Sequence, residues 1–447
     1  MEQSVVTKRS TDHERSKPPS VVIHTHGCKL NAADSQVLAS EFIGAGCVVV
    51  DDIREADIYV LNTCTVTAQA DYKARKALRS VAKINPSILL SATGCYVQRR
   101  PEDLLDMTTD AGAPILLGNA KKDVFVKEVL NKYSWFPRGS ASEVRIAVGT
   151  RALSRTRAML KIQEGCDQVC SYCIVPKVRG RQTSIPVDEL LAQVSQLGYE
   201  GVSEIVLTGT QLGTYGHEYP SMDLVQLLKA LCDEPTVRRL RVSSLQPHEI
   251  NEELVALWNN GILCPHFHIP LQSGSDTILT SMRRRYSSRQ FLEAVEFVRE
   301  KIPGASITTD VIVGFPGETD EDFQSTYRLC RKANLNKIHV FPYSIRPGTS
   351  AAYLSTHSDP KVIRDRSIQL RQLSTELESN ARQGLVGATR SVLWESRQIL
   401  DGQTIWTGLT DDYVRVNTVS SADLRGSVSL VRFVTGEDVL ILEEQIA

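Results

Sequence analysis

The chain has 447 residues, 42% hydrophobic and 23% charged, ordinary proportions for a globular protein with a full core. Its 51 Lys+Arg residues balance 52 Asp+Glu to a net charge of -1, which excludes a strongly basic nucleic-acid binder and leaves that role to local patches. No apolar run approaches the roughly 20 residues of a membrane span and the N-terminus has no apolar signal core, so a cytoplasmic location is expected.

At roughly 150 residues per domain, the length predicts about three domains. Residues 1–20 are polar and end in Pro18 and Pro19, the composition of a disordered tail. Over 21–131, VVIHTHG, CVVVDD, ADIYVLN and PSILLSATG read as strands. A helix over Asn31 to Gly44 and a basic amphipathic helix over Ala70 to Lys83 alternate with them. That alternation predicts a doubly wound α/β unit. Residues 132–156 mix Gly, Ser, Arg and aromatic residues without helical period and read as a linker.

Over 157–382 the strand candidates are AMLKIQ, SEIVLTG, RLRVSS, HFHIPL, ITTDVIVG and KIHVFPYS, with helices between them and a charged, Leu-spaced exit helix at the end. Six such units predict a partial (βα)6 barrel, with its site at the C-terminal ends of the strands. Over 384–447 only short strands remain: SVLWES, TIWTGLT, DYVRVNT, GSVSLVRFV and DVLILEE. They predict a small all-β barrel.

Ten cysteines are many for a reducing compartment, where thiols hold metal or do chemistry rather than pair. Cys166, Cys170 and Cys173 stand in EGCDQVCSYCIVP with spacing C-x3-C-x2-C. Three thiolates leave one iron of a 4Fe-4S cluster free to bind substrate. The alternatives are a zinc loop, for which no fourth ligand lies nearby, and plain core cysteines. The spacing, with Tyr172 before the last cysteine, resembles the signature of the radical S-adenosylmethionine (radical SAM) superfamily. That resemblance implies S-adenosyl-L-methionine chelated at the open iron and its cleavage to a 5′-deoxyadenosyl radical.

Cys28, Cys64 and Cys95 each end or follow a strand candidate, and loops after successive parallel strands converge at one sheet edge. Spacing alone leaves open a second metal set or small apolar strand-end residues. The wording around them is more specific. HGCKLNAADS, NTCTV and TGCYVQ, followed by the triplet, resemble the methylthiotransferase family of radical SAM enzymes. The likeness runs from Val21 to Glu444 and includes LTGTQLGTYG, VSSLQP, HIPLQSGSD, TDVIVGFPGET and FPYSIRPGT. The terminal unit resembles a TRAM domain.

GCKLN followed by NTCTVTAQADYKARK resembles the MtaB type, which acts on N6-threonylcarbamoyladenosine beside the tRNA anticodon. The MiaB type, acting on isopentenyladenosine, has GCQMN and NTCAIRE instead. The resemblance implies two 4Fe-4S clusters, one on Cys28, Cys64 and Cys95 that carries or supplies sulfur, and one on Cys166, Cys170 and Cys173. It implies two molecules of S-adenosylmethionine, one giving a methyl group and one the radical that takes hydrogen from C2 of adenine. The tRNA anticodon loop, an electron donor and a sulfur source are the implied partners. Tyr172, and the strand-end residues Thr208, Gly209, Thr210, Gln211, Ser243, Ser244, Gln272 and Asp310, are candidates for S-adenosylmethionine contact. The same chemistry on isopentenyladenosine, or on an aspartate of a small-subunit ribosomal protein, is the alternative. A non-catalytic iron–sulfur module for RNA binding or electron transfer is a third reading.

From Arg151 to Arg181 there are seven basic residues (Arg151, Arg155, Arg157, Lys161, Lys177, Arg179, Arg181) against two acids. The helix around Lys73, Arg75, Lys76, Arg79 and Lys83 is basic too, as are Arg99 and Arg100 after Cys95. These stretches border both cysteine sets and read as phosphate contacts for an RNA loop. Arg283 to Arg285 reads as surface. The last 64 residues carry five Arg, no Lys and nine acids, so RNA contact there must be narrow. Trp394, Trp406 and Tyr413 could offer a stacking face, although core packing suits at least two of them better. Cys47, Cys232, Cys264 and Cys330 read as core. Cys264, His266 and His268 share one strand face, read as barrel interior rather than a metal set. His26 is a candidate to hydrogen-bond a sulfur of the first cluster or the substrate.

Overall fold

The computed structural model describes residues 17–135 and 156–433. Most of the expected tail and linker, Arg151, Arg155 and the last strand candidate lie outside the described residues. The first sheet contains β1 (Ser20–Thr25), β2 (Val48–Val49), β3 (Ile58–Thr63), β4 (Leu89–Gly94) and β5 (Ile115–Leu116). Its order is β2-β1-β3-β4-β5 and every pairing is parallel. Period-two alternation sends Tyr59 and Leu61 to one face, against Leu78 and Val81 of the helix Ala68–Ile84. Ile58 and Val60 face the other way, against Leu38 and Phe42 of the helix Lys29–Gly44 and Phe125 and Val129 of the helix Phe125–Tyr133. Each fully buried Leu or Phe of these layers contributes about 1.5–3 kcal/mol. The doubly wound expectation holds.

Two boundaries differ from the sequence reading. Of CVVVDD only Val48–Val49 pairs, because the run is an edge strand and Asp52 caps a 3-10 turn by accepting from the Arg54 N–H at 2.8 Å. The two-residue β5 is too short to carry a periodic signal.

The second region starts with β6 (Arg157–Lys161), followed by a two-stranded antiparallel pair, β7 (Gln163–Glu164) and β8 (Thr183–Ser184). Then come β9 (Glu204–Thr208), β10 (Leu240–Val242), β11 (His266–His268), β12 (Ser306–Val313) and β13 (Lys337–Pro342). β6, β9 and β10 form one parallel ladder and β11, β12 and β13 another. Parallel bridges Leu240–Leu263 and Ser244–His268 join the two ladders. Six parallel strands therefore follow one another in chain order, as the sequence predicted.

Ala158, Leu160, Ile205, Leu207, Leu240 and Val242 point outward into the main core under the surrounding helices. Their alternates, Arg157, Glu204 and Arg241, line the inside, joined by His266, His268, Thr308 and Asp310. The wall of β6 is not left bare. Gln36, on the helix Lys29–Gly44, accepts from the Met159 N–H at 2.9 Å and donates to the Arg157 carbonyl at 3.4 Å. The first α/β unit thus docks against the first barrel strand.

The exit helix Pro360–Gln383 packs along β13, burying Leu370, Leu373 and Leu377. The last unit has β14 (Thr389–Leu400), β15 (Gln403–Thr410), β16 (Arg415–Val419) and β17 (Val428–Arg432), antiparallel in the order β16-β15-β14-β17. It closes the N-terminal end of the barrel. Arg241 donates to the Asp411 carbonyl at 2.9 Å, and the Tyr413 ring stacks on His266 at 4.2 Å. Trp394 and Trp406 are fully buried in the core of this unit, the core packing preferred for at least two of the three aromatics, and offer no stacking face. Tyr413 turns inward as well. An aromatic on a half-buried sheet gains more from its own core than from solvent.

Among the described residues no helix is long and apolar enough to cross a membrane.

Candidate functional site

Parallel order places the ends of β1, β3 and β4 side by side, and the sequence puts a cysteine at each end. Cys28 is the N-cap of the helix Lys29–Gly44, Cys64 follows β3, and Cys95 follows β4. Glycine permits the approach. Gly27 has φ +122°, and a Cβ there would lie 2.8 Å from the Cys64 Cβ. Gly94 has φ +95°, and a Cβ there would lie 2.5 Å from the Thr63 carbonyl.

Burial pushes the Cys64 thiol up to about 12, and the nearby Cys28 and Cys95 thiols add to the rise. Each sulfur has a polar neighbour. Val66 N–H and Asn119 Nδ2 donate to Cys64 and Cys95, both at 3.5 Å. The Cys28 thiol donates to Asn31 Oδ1 at 3.6 Å. All ten cysteines are free. Three free thiols at neighbouring strand ends, two of them met by N–H donors, form a donor set suited to a soft metal cluster.

The triplet lies in the loop between β7 and β8. Cys166 N–H bonds the Gly180 carbonyl and Cys173 N–H bonds the Cys170 carbonyl, both at 3.1 Å, which coils the loop. Gly165, at φ +72°, allows the entry, since a Cβ there would lie 1.9 Å from the Arg181 carbonyl. Burial pushes Cys173 up to about 12 and raises Cys166. The Cys166 thiol donates to Gln211 Oε1 at 3.5 Å, and Arg284 Nη1 donates to Cys170 Sγ at 3.3 Å. Arg284 also bonds Gln246 and covers the Tyr286 ring. This corrects the surface reading of Arg283 to Arg285. Arg283 and Arg285 are exposed, but Arg284 turns into the site. A three-arginine run has no internal signal for which member turns inward.

The two cysteine sets meet. Cys95 packs against Ile174 and Val178, on the short stretch directly after Cys173. Asn119 bridges the same contact, donating to the Val178 carbonyl at 2.8 Å. A cavity of about 180 Å³ opens here, lined by Val66 and Thr67 from beyond Cys64, by Tyr172 and Cys173, and by Gln272, Asp310 and Ile312 of the barrel.

The strand-end residues gather at the C-terminal rim. Gln163 Oε1 accepts from Thr210 N–H and Gln211 N–H at 2.8 and 3.0 Å, which fixes the loop after β9. Thr208 and Ser243 are buried, and Ser244 bridges to His268. Gln272 has φ +64° and bridges to Val311 beside Asp310. Thr210 Oγ1, Ser243 Oγ and Gln168 Nε2 are buried without a partner, so this rim has polar atoms to spare for a polar ligand. His26 Nδ1 is another such atom, next to the first cysteine set.

Below the rim the barrel interior is polar. His268 Nε2 lies 3.3 Å from Asp310 Oδ2, and its Nδ1 lies 3.0 Å from Thr308 Oγ1. His339 stands opposite Asp310 in register. The ligand atoms of His268, Asp310 and His339 lie within 4.8 Å of one another. Cys264 takes no part, because its sulfur faces Glu204. At the bottom, burial favours protonation of Glu204, but Arg241, Arg239 and Arg157 hold its carboxyl down to about 2.

The charge reading changes with the fold. Arg179 and Lys161 are spent on a buried network: both reach Asp34 and Glu164, and Lys122 joins at Asp34 with a 2.6 Å contact. Arg157 pairs with Glu395, Arg181 with Asp167, and Arg99 with Asp71. These cations join parts of the chain, so among the described residues of the basic stretch before Arg181, Arg157, Lys161 and Arg179 are not free as phosphate contacts. Lys73, Lys76 and Arg79 stay exposed and make no ion pair among the described residues.

Residues 160–330 match the radical SAM superfamily, and residues 20–113 match an uncharacterized protein family, UPF0004. The threonylcarbamoyladenosine tRNA methylthiotransferase MtaB of Bacillus subtilis (strain 168) is 33% identical over 447 residues, covering 96% of this chain and 98% of its own. A tRNA-2-methylthio-N(6)-dimethylallyladenosine synthase of Methylacidiphilum infernorum is 35% identical, covering 84% of each chain. Among solved structures, the radical S-adenosylmethionine methyltransferase TsrM of Kitasatospora setae, with cobalamin and a 4Fe-4S cluster bound, superposes with TM-score 0.55 at 13% identity. It covers 75% of this chain and 77% of its own, a likeness of fold alone.

Proposed function

The chain belongs to the radical SAM tRNA methylthiotransferase family, and on that premise we propose that it converts N6-threonylcarbamoyladenosine beside the tRNA anticodon to its 2-methylthio derivative. The observation that carries this reading is a cavity lined by Cys173 of one set, by Val66 and Thr67 just after Cys64 of the other, and by Ile174, on which Cys95 packs, with a polar barrel interior beneath it. Relatives of the threonylcarbamoyl and dimethylallyl types match at similar identity, so overall likeness does not separate the substrates. The lining does. A dimethylallyl group buries best against carbon, whereas a threonylcarbamoyl group brings a carboxylate, a hydroxyl and amide groups that need partners. The imidazoles and carboxylate of the lumen supply such partners.

Cys28, Cys64 and Cys95 hold one 4Fe-4S cluster and Cys166, Cys170 and Cys173 the other. When bound, the clusters and S-adenosyl-L-methionine supply the electron, the radical, the methyl group and the inserted sulfur. The protein's own residues do the rest. Tyr172, Thr208, Gly209, Thr210, Gln211, Ser243, Ser244, Gln272 and Asp310 bind and orient S-adenosylmethionine at the rim. Asn31, Asn119 and Arg284 keep the cysteine sulfurs in place. The apolar packing of Cys95 on Ile174 and Val178 closes the contact between the two sets and would shield the reacting groups from solvent. C2 of adenine has no useful acidity, so positioning is the protein's main contribution. The RNA loop arrives along the exposed basic helix Ala68–Ile84.

Nucleoside mass spectrometry of tRNA from a deletion strain tests the reading. The 2-methylthio-N6-threonylcarbamoyl nucleoside disappears and returns on complementation. Loss of the dimethylallyl counterpart instead would transfer the assignment to that substrate.

A further inference from the structure

Two side chains inside the barrel carry polar hydrogens and, among the described residues, make no hydrogen bond or ion pair. Lys29 follows Cys28 directly, yet its side chain leaves the first unit and enters the barrel. Its Nζ lies 5.6 Å from the centroid of the Tyr413 ring, which itself stacks on His266 of β11. Lys29 makes no ion pair or hydrogen bond among the described residues. Burial disfavours its charged form, while Tyr413 and Glu204 favour it. His339 is the second side chain. Its neighbours His268 and Asp310 are satisfied by each other and by Thr308, while the His339 ring makes no hydrogen bond among the described residues. It lines a lower cavity of about 300 Å³ shared with Arg157, Thr308 and Tyr413. Asp310, opposite it in register, lines the upper cavity between the cysteine sets.

A partly buried ammonium with no carboxylate within ion-pair distance is costly, and so is a buried carboxylate without a donor. Each removes the other's cost when they meet. The threonylcarbamoyl group carries one carboxylate, and the dimethylallyl group carries none. We propose that Lys29, with His339, receives the carboxylate of the threonylcarbamoyl substituent inside the barrel, and that this pair sets the choice of substrate. The assignment rests on the substrate reading above. His268, Asp310 and His339 also form a donor set of the kind that binds a divalent cation. Against that, Asp310 is already paired with His268, and Lys29 and Arg241 bring positive charge to the same lumen.

The test measures affinity of the purified full chain for three synthetic anticodon stem-loops. One carries N6-threonylcarbamoyladenosine, one its carboxamide analogue, and one dimethylallyladenosine. Wild-type protein binds the carboxylate loop at least about tenfold more tightly than the carboxamide loop, the scale of one charge-assisted hydrogen bond. Lys29→Met brings that ratio close to one and leaves affinity for the dimethylallyl loop unchanged. His339→Phe shrinks the ratio as well, and it decides the matter if Lys29→Met loses iron or melting temperature. A ratio that survives in a folded variant of either residue overturns the proposal alone. Wild-type protein that does not prefer the threonylcarbamoyl loop over the dimethylallyl loop overturns the substrate reading and the proposal together.

Discussion

Arg284 Nη1 donates to the sulfur of Cys170 at 3.3 Å, across 114 residues of sequence. The cation is enclosed by the Tyr286 ring and by Gln246, so little water screens it. A donor on a cysteine sulfur stabilises the electron-rich form of a cluster held there and raises its reduction potential.

Replacing Arg284 by Met therefore lowers the midpoint potential of the cluster on the triplet. Iron content should be retained, because the three thiols remain. Electron paramagnetic resonance during a redox titration reads the change. An unmoved midpoint with full iron content would show that the contact is only structural.

The two cysteine sets should be separable. Cys64→Ala is expected to lower iron from about eight to about four per chain. It should keep reductive cleavage of S-adenosylmethionine to 5′-deoxyadenosine and abolish methylthio product. Cys170→Ala should abolish both reactions. Iron that stays near eight in Cys64→Ala removes the first set from the assignment.

Asp34 accepts from Lys122, Lys161 and Arg179, and these three cations hold its carboxyl well below the usual range against the opposing effect of burial. Removing the acid leaves Lys122 without its partner and Lys161 and Arg179 with Glu164 as the remaining acid. Asp34→Asn should cost about 3–5 kcal/mol, seen as a lower thermal unfolding midpoint at neutral pH. An unchanged midpoint would mean that the network contributes no net stability.

Glu204 gives a pH signature. Burial raises its pKa, and Arg241, Arg239 and Arg157 bring it down to about 2, against about 4.3 for an unfolded chain. A depressed carboxylate contributes stability that is complete above the unfolded value and is lost as pH falls through the folded one. The stability difference between wild type and Glu204→Gln should thus be constant from pH 7 to about 5 and shrink toward pH 2. Denaturant titrations at a series of pH values check it. A difference that grows on acidification reverses the sign and sinks the account.

Lys73, Lys76 and Arg79 are three of the four exposed cations, with Lys83, of the helix beginning three residues after Thr65. Changing all three to Ala should weaken tRNA binding and shallow the log–log salt slope by about two to three. A slope equal to wild type places the RNA elsewhere.

Much of the architecture was legible before any coordinate. Alternation of strand and helix gave the parallel sheet and the six-stranded barrel, because period two and period 3.6 are imposed by backbone geometry and reach no further than a few residues. The boundaries that failed, at Val48–Val49 and Ile115–Leu116, are edge strands whose length depends on a neighbour. The cysteines were legible too, since a chain cannot hide clustered thiols.

Charge was misread for the opposite reason. Arg157, Arg179 and Arg99 look alike in sequence, as solvated cations bordering a site. Whether each meets phosphate or a carboxylate depends on residues far away, Glu395, Asp34 and Asp71.

The sequence by itself determined which elements form and where the thiols cluster, because both are local properties of spacing and residue type. Only the tertiary structure decided that Cys95 meets the stretch after Cys173, that Arg284 turns to a sulfur, and that Lys29 crosses into the barrel. Those outcomes follow from long-range packing, where the cost of burying a charge is settled by partners that sequence distance does not reveal.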